Sequence, residues 1–239
     1  FLTLVKAASA NPGNDEPLLK EPIEKNLRPP GFVPSPDDTQ AVQTLLKQSN
    51  VDPDANKIFL LNPNCSDLLP LRRWPTENFV ELGNRILSDI PDSVIVITGA
   101  PSEQHEAEKL AGRFSAQNRA LSLAGKTTLP QLLALYSLSV ALVSNDSGPC
   151  HFAALTNINI ISLFGPETPQ LYSPLSPNAK CITSNTTCSP CVNMLNHRFS
   201  PCRNNRCMQL ISVQDVYSAL RSIPALLDSS HIDNTPANL

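Results

Sequence analysis

The chain has 239 residues, of which 41% are hydrophobic and 16% are charged, and its formal net charge at pH 7 is −3. This balance is that of a globular protein with a buried core and argues against a disordered chain. The absence of long runs of Lys or Arg argues against nucleic-acid binding through a basic surface. No stretch reaches the roughly 18 consecutive apolar residues that cross a bilayer, no secretory signal is visible, and we expect a cytoplasmic protein.

The first 56 residues predict the end of one domain and a connection to the next. The opening FLTLVKAA is typical of the last turns of a helix that begins outside the chain. Residues 12–36 hold seven of the 23 prolines and predict an extended linker, because proline fixes the backbone and removes a donor. Ser35, followed by acidic residues and then by spaced apolar ones, predicts a short capped helix.

From residue 57, short apolar runs alternate with helical patterns, which predicts βαβ units and a parallel sheet covered on both faces. Right-handed crossovers then give a doubly wound, Rossmann-like α/β domain over residues 57–224, with a Cys-rich loop at 181–207 and a polar tail at 225–239. The predicted strands are KIFLLN (57–62), SVIVITG (93–99), RALSLAG (119–125), ALVSND (141–146), INIISLFG (158–165) and AKCITSN (179–185). The predicted helices cover residues 76–90, 102–115, 127–139, 148–156 and 211–223.

Ligands of open parallel sheets bind in the loops at the carboxyl ends of the strands. The loop after the fourth strand, NDSGPCH, contains Asp146, Ser147, Gly148 and His151. The N–H groups at the start of the following helix can bind an anion, Gly148 allows a phosphate to approach the backbone, and a donating His151 would support it. This pattern predicts an anion site, and a plain capped helix with a His on its face remains the alternative.

Two better-known motifs are incomplete in these loops. Asp146, Ser147 and His151 are the residue types of a serine hydrolase triad, but triad members generally come from separate segments. Asn145 and Pro149 stand where the nucleophile-elbow motif G-x-S-x-G has its glycines. The loop AGKTT lacks the first glycine of a P-loop. A hydrolase and a P-loop nucleoside triphosphatase are therefore disfavoured.

Other loops of the same rim supply charged groups. Arg72 and Arg73 follow the first strand and precede Trp74, and a guanidinium in this position suits a diphosphate. The alternative is that one Arg stacks on Trp74 at the surface. Glu103, at the start of a helix, could accept hydrogen bonds from ribose hydroxyls, although a plain acidic residue of a first turn would look the same. Lys126 offers a cation in the loop after the third strand.

In order, over about residues 57 to 222, these segments resemble glycosyltransferase family nine, the bacterial heptosyltransferases that extend the inner core of lipopolysaccharide. The most characteristic segment is NDSGPCHFAALTNINIISLFGPETP, which is similar to the family's Asp-Thr/Ser-Gly-x-x-His pattern followed by Leu-Phe-Gly-Pro. The other segments that carry the resemblance are NPNCSDLLPLRRWPTENFVELGNRIL, TGAPSEQHEAEKLA, LAGKTTLPQLLAL and a C-terminal region with CSPCVN and CMQLISVQDV.

The resemblance implies a GT-B architecture, in which two Rossmann-like domains face a cleft and the C-terminal one binds a nucleotide-diphospho-sugar. The chain would be this donor-binding half of an inverting glycosyltransferase, with ADP-heptose as the candidate donor and no cofactor or metal. The other half would bind a lipid-linked or oligosaccharide acceptor and carry the general-base Asp, and residues 1–56 cannot supply it. We therefore expect no sugar transfer by this chain alone, and we expect the enzyme at the inner face of the cytoplasmic membrane.

The resemblance also implies roles for individual residues. Asp146 is expected to orient hydroxyls of the donor sugar, and Arg72 to neutralise the leaving phosphate where the family often has Lys. Glu167 stands where the family commonly has Thr, and Ser147 replaces the commoner Thr, which leaves the identity of the sugar open. The other expected site residues are Asn64 and Ser66 at the phosphate loop, Ser147, Gly148 and His151 at the diphosphate, Glu103 at the ribose, and Gly125 and Lys126 at the base.

Four of the seven cysteines lie close together in the C-terminal loop. Cys188 and Cys191 form C-x2-C, and Cys202 and Cys207 form C-x4-C, a spacing that can hold a tetrahedral zinc. Because the resembled family has no known need for a metal, we favour free or occasionally disulfide-linked thiols in a reducing compartment. Two other functions remain open: a sugar-nucleotide epimerase of the same fold, and a non-catalytic binding module with a zinc loop.

Overall fold

The fold is described by a computed structural model for residues 29–65, 67–193, 196 and 199–227. The helix end expected in FLTLVKAA, the first part of the linker and most of the polar tail lie outside these residues. Within the described part of the chain, no helix is long and apolar enough to span a lipid bilayer.

Six parallel strands form one sheet in the order β3-β2-β1-β4-β5-β6, which confirms the predicted doubly wound α/β class. The strands are β1 (Lys57–Asn62), β2 (Ser93–Ile97), β3 (Ala120–Ser122), β4 (Ala141–Asn145), β5 (Asn159–Phe164) and β6 (Ala179–Thr183). The helices are α1 (Pro36–Gln48), α2 (Thr76–Asp89), α3 (Gln104–Ala111), α4 (Leu129–Ser137), α5 (Gly148–Ala153), α6 (Pro169–Tyr172), α7 (Arg206–Gln209), α8 (Val213–Arg221) and α9 (Pro224–Leu227).

The core lies in two layers, one on each face of the sheet. Successive side chains of a strand point to opposite faces, so neighbouring apolar residues enter different layers. Phe59 and Leu61 of β1 pack with side chains of α2, α3 and α8, whereas Ile58 and Leu60 pack with α1, α4 and α5. The continuous apolar run of each strand is therefore explained by burial on both sides, and α8 covers the sheet as the sequence predicts.

Helix α1 belongs to the core of the sheet domain, although the sequence pattern predicted that this domain begins at residue 57. The Ser35 hydroxyl caps the helix as expected. Val42 and Leu46 are fully buried in the same layer as Ile58, and α1 packs on α4. The folded unit therefore includes residues before the first strand.

The helix predicted over residues 102–115 is shorter than expected. It starts with a 3-10 turn at Pro101–Glu103, continues as α3 and ends before Gly112. Phe114 is buried after this end, and its ring lies so close to Gly83 that a Cβ added there would come within 2.2 Å of it. Because α3 ends early, the ring of Phe114 packs on α2.

Candidate functional site

The strand order reverses between β1 and β4, so that the loops after these two strands lead in opposite directions. Such a switch point leaves a crevice at the carboxyl ends of the strands, which is the usual ligand position in this class of fold. A cavity of about 380 Å³ lies there, lined by residues from the segments that follow β1, β2, β3 and β4. Four predicted site residues line it: Asn64, Glu103, Ser147 and Gly148.

The loop after β1 is tied to the loop after β2 by side-chain amides. Asn62, the last residue of β1, is buried and donates from its Nδ2 to the carbonyl of Thr98 over 3.1 Å. Its Oδ1 accepts from the backbone N–H of Asn64 over 3.3 Å. The Nδ2 of Asn64 is buried in the cavity wall and has no hydrogen-bond partner among the described residues. Because burying an unsatisfied donor is costly, this amide is suited to bind an oxygen of a ligand.

The start of α5 faces the cavity without a side-chain cap. Ser147 directs its Oγ to the carbonyl of Asn145 over 3.1 Å instead of capping the helix. Gly148 follows it in the cavity wall, and a Cβ added there would have the ring of Phe152 as its nearest neighbour at 3.6 Å. A Cβ at Gly148 would therefore not clash with the protein. Because Gly148 lines the cavity, we expect this Cβ to occupy part of the cavity.

Arg72 and Asp146 form an ion pair next to the cavity residue Ser147. The Nη1 of Arg72 lies 3.7 Å from the Oδ2 of Asp146, and the two side chains are only 15% and 6% exposed. The Nε of Arg72 is buried without a hydrogen-bond partner among the described residues. The guanidinium thus retains a buried donor in addition to its contact with Asp146, as a group that binds an anion would.

The alternative that an Arg stacks on Trp74 at the surface is wrong, because Trp74 is buried. Its indole N–H donates to the carbonyl of Ile211 over 2.9 Å, and its ring meets the edge of Phe79 with the ring centroids 4.9 Å apart. Arg73 instead pairs with Asp67 in a more exposed position. Of the two arginines, Arg72 is therefore the one that the fold buries beside the switch point.

Asn145, the last residue of β4, connects the two loops of the switch point, a role that was not predicted from the sequence. Its Oδ1 accepts from the backbone N–H of Trp74 over 2.9 Å, and its Nδ2 donates to the carbonyl of Pro63 over 2.8 Å. A polar amide at the end of a short, mostly apolar strand was the available signal. Its burial without bonds would be costly, so such a residue is expected to hold neighbouring backbone groups.

Glu103 caps a turn and also lines the cavity. One carboxylate oxygen, Oε2, accepts from the backbone N–H of Ala100 over 2.7 Å and so caps the turn after β2. The residue also lines the cavity. A carboxylate has about four acceptor positions, so this cap leaves it able to accept from a hydroxyl group.

The structure does not place Gly125 and Lys126 in the cavity wall. Gly125 has a φ of +71°, and a Cβ there would lie 2.8 Å from the Cα of Pro101, so this turn requires glycine. The Nζ of Lys126 lies 3.4 Å from the Oε1 of Glu108 and donates to the carbonyl of Ser122 over 3.1 Å. The wall next to this loop is formed by Thr127, Thr128, Leu129 and Leu132.

Two further positions, His151 and Glu167, stand apart from the cavity wall. His151 lies exposed on α5, and the surrounding protein desolvates its imidazole and lowers its pKa, so that the ring is neutral at pH 7. It can then donate through only one ring nitrogen. Glu167 is buried in the loop after β5, and Ser66 lies outside the described residues.

All seven cysteines, each in the described part of the chain, are free thiols. Burial raises the pKa of Cys207, and the nearby Cys191, Cys188 and Cys202 raise it further, so the four cysteines of the C-terminal loop are neighbours in space. Among the described residues, no group of three or more His, Cys, Asp and Glu side chains is arranged to hold a metal ion.

Comparisons with known proteins agree with this architecture. The chain is similar to lipopolysaccharide heptosyltransferase 2 of Escherichia coli K12, with 30% identity over 115 residues, which are 47% of this chain and 32% of that protein. The solved structure of Escherichia coli ADP-heptose lps heptosyltransferase II superposes with a TM-score of 0.66 at 21% identity and covers 86% of this chain and 56% of that one. The structure of Escherichia coli heptosyltransferase WaaC with ADP gives a TM-score of 0.51 at 21% identity over 74% of this chain and 47% of that one.

The matched part of each relative is limited, since this chain spans only about a third to a half of these proteins. The solved structures support the GT-B assignment of the fold. The model of "Glycosyltransferase family 9 (heptosyltransferase)" matches residues 26–199, which is well over half of the chain. The chain therefore belongs to glycosyltransferase family 9.

Proposed function

We propose that this chain is the donor-binding half of an inverting, heptosyltransferase-like glycosyltransferase of lipopolysaccharide or cell-surface glycan synthesis. The observation that carries the proposal is the cavity at the switch point. Beside it, Asn64 and Arg72 have buried donors that find no hydrogen-bond partner in the described part of the chain. Membership of the family and the names of its relatives point to a nucleotide-diphospho-sugar as the ligand, with ADP-heptose as the candidate.

The donor is expected to lie across the cavity with its diphosphate over the start of α5. There Ser147, Gly148 and Asn64 offer backbone and amide donors, which suit phosphate oxygens. Glu103 would accept from the ribose hydroxyls, and the base would lie against the apolar wall near Leu132. The backbone at Gly125 and Lys126 would border the base from outside this wall.

Transfer of the sugar leaves a nucleoside diphosphate, whose negative charge grows as the bond to the anomeric carbon breaks. A fixed cation near the departing phosphate lowers the energy of this transition state more than that of the bound substrate. Arg72 would supply that charge, oriented by its ion pair with Asp146. Asp146 would in turn orient hydroxyls of the sugar, and His151 would support the phosphates as a neutral donor.

The acceptor and the general base are assigned to a second domain, which residues 1–56 are too short to provide. The length of the relatives supports this division, because the matched segment covers only 32% of the Escherichia coli enzyme. The complete enzyme would work at the inner face of the cytoplasmic membrane on a lipid-linked or oligosaccharide acceptor. The chain alone would bind the donor without transferring the sugar.

The proposal is tested by titrating the chain with ADP, ADP-heptose, UDP and UDP-glucose in a calorimeter. We expect the adenine nucleotides to bind and Gly148→Ala to weaken ADP binding about tenfold, since the added methyl group would occupy the space of the phosphate. Gly112→Ala is the matched control, because its added Cβ also meets its nearest neighbour at 3.6 Å. If no nucleotide or nucleotide-sugar binds to the wild-type chain, the proposed function is wrong.

A further inference from the structure

The loop that carries Arg72 is held by a residue from the other end of the chain. Asn205, immediately before α7, donates from its Nδ2 to the carbonyl of Leu71 over 3.2 Å and to the carbonyl of Arg73 over 2.9 Å. One side-chain amide thereby holds the carbonyls of the residues before and after Arg72.

The amide of Asn205 is itself firmly anchored. Its Oδ1 accepts from the Nε2 of Gln209, the last residue of α7, over 3.1 Å. Met208 of that helix is fully buried, and its Sδ lies so near to Gly165 that a Cβ added there would come within 2.5 Å. The Oγ of Ser184, just after β6, donates to the carbonyl of Cys207 over 2.6 Å. Asn205 therefore links the loop after β1 to the part of the sheet that β5 and β6 form.

The opposite side of the loop is fixed by different groups. Asn145 holds the backbone N–H of Trp74, and the indole N–H of Trp74 donates to the carbonyl of Ile211. Arg72 thus lies in a backbone segment bonded from two directions, while its guanidinium points to Asp146. A fixed backbone holds the point from which the long arginine side chain extends, which helps to keep its guanidinium in one position.

We propose that Asn205 is a positioning residue for the donor site, which sets Arg72 at the distance from Asp146 where it meets the diphosphate. This inference rests on the proposed function, because it requires that Arg72 contacts the donor. Asn205 itself does not line the cavity. Its effect on the ligand is therefore expected to pass through Arg72 alone.

The test compares Asn205→Asp and Asn205→Ala with the matched control Asn204→Asp. Asp at 205 replaces the donor by an oxygen that faces two carbonyls, and Ala removes the donor without adding charge. The Oδ1 of Asn204 accepts from Gln209 over 2.8 Å, a bond that Asp can also accept, and its neighbouring position adds the same charge. Each variant is titrated with ADP, in the wild-type background and with Arg72→Ala, after circular dichroism confirms that it is folded.

We expect both Asn205 variants to weaken ADP binding about tenfold in the wild-type background and less than twofold with Arg72→Ala, whereas Asn204→Asp changes it less than twofold in either. Trp74 is the only tryptophan of the chain and lies two residues after Arg72. Acrylamide should therefore quench the fluorescence of Trp74 more strongly in the Asn205 variants than in the wild type, and equally in the control and the wild type.

The outcomes separate the two proposals. Absence of ADP binding by the wild-type chain overturns the proposed function and the positioning role with it. If ADP binds and Arg72→Ala weakens it, but the Asn205 variants behave as Asn204→Asp does, only the positioning role is wrong. An equal loss in both backgrounds, or unchanged quenching of Trp74, also overturns the positioning role.

Discussion

The cavity has a polar side and an apolar side, which differ in how their side chains are held. The polar side consists of Asn62, Asn64, Ser147 and Gly148, with the pair of Arg72 and Asp146 next to it. The apolar side consists of Leu129, Leu132, Pro149 and Phe152. On the polar side the charged pair is almost completely buried, whereas on the apolar side Leu129 and Phe152 are 49% and 40% exposed.

This difference reverses the usual distribution, in which apolar groups are buried and charged groups are exposed. Burial of a charged pair is costly and is tolerated when a rigid arrangement serves a purpose. Exposed apolar side chains at the edge of a cavity leave an area that a ligand can cover. We therefore expect the polar side to act through charge and fixed geometry, and the apolar side through contact area.

The strongest test of this difference is Arg72→Ala. Loss of hydrogen bonds from a charged group costs about 1.5 to 3 kcal/mol, which corresponds to a loss of about 10- to 100-fold in affinity. Because the proposed contact of Arg72 is with phosphate, the binding of pyrophosphate and of ADP should be weakened by the same factor. Calorimetric titration of both ligands measures this.

Arg113→Ala is the control for this variant, since Arg113 pairs with Glu77 on the surface. Exposed ion pairs contribute little, so its effect on either ligand should be within twofold. A change in ADP affinity without a change in pyrophosphate affinity would assign Arg72 to the base or the ribose instead, and the division of the cavity into two sides would fail.

A smaller effect is expected from Phe152→Ala on the apolar side. Contact between a base and an aromatic ring contributes about 1 kcal/mol or more, so ADP should bind about fivefold more weakly, while pyrophosphate should bind unchanged. Phe199→Ala, which removes another exposed ring, should alter neither. Equal weakening of the two ligands by Phe152→Ala would show that the loss arises from movement of α5 and not from the base.

The sequence was sufficient to predict the sheet and the loops at the carboxyl ends of its strands, because both follow from local patterns. The apolar runs predicted each strand, and chain order with right-handed crossovers predicted where the loops meet. It was not sufficient to predict the hydrogen bonds of Asn145 and Asn205, whose partners lie 71 to 134 residues away along the chain. Such contacts depend on the completed sheet and leave no signal in the spacing of neighbouring residues.

Lys126 illustrates the opposite limit of sequence analysis. Its position after β3 was correct at the level of the loop, yet its ammonium turns to Glu108 on α3. A long side chain can reach either the cavity or the neighbouring helix, and the sequence does not distinguish these directions. Arg72 has the same freedom in principle, but the carbonyls on both sides of it are bonded to Asn205.

The smallest expected effect concerns His151, which directly precedes Phe152 on α5. Desolvation lowers its pKa below the ordinary value of 6.5 in the folded state, so the unfolded chain binds a proton more readily. The stability that follows is present above about pH 6.5 and is lost as the pH falls through the folded-state pKa. Because the side chain is exposed, we expect a difference of only about 1 °C in the melting temperature.

His151→Gln should remove this part of the pH dependence, so that wild type loses its advantage over the variant between pH 7.5 and pH 5. Thermal unfolding followed by circular dichroism at both pH values measures the difference. His105→Gln, at an exposed position on α3, is measured beside it as the same substitution away from α5. If wild type instead gains stability relative to His151→Gln as the pH falls, the protonated ring is favoured in the folded state. In that case His151 would be a charged partner for the anion and would belong to the polar side.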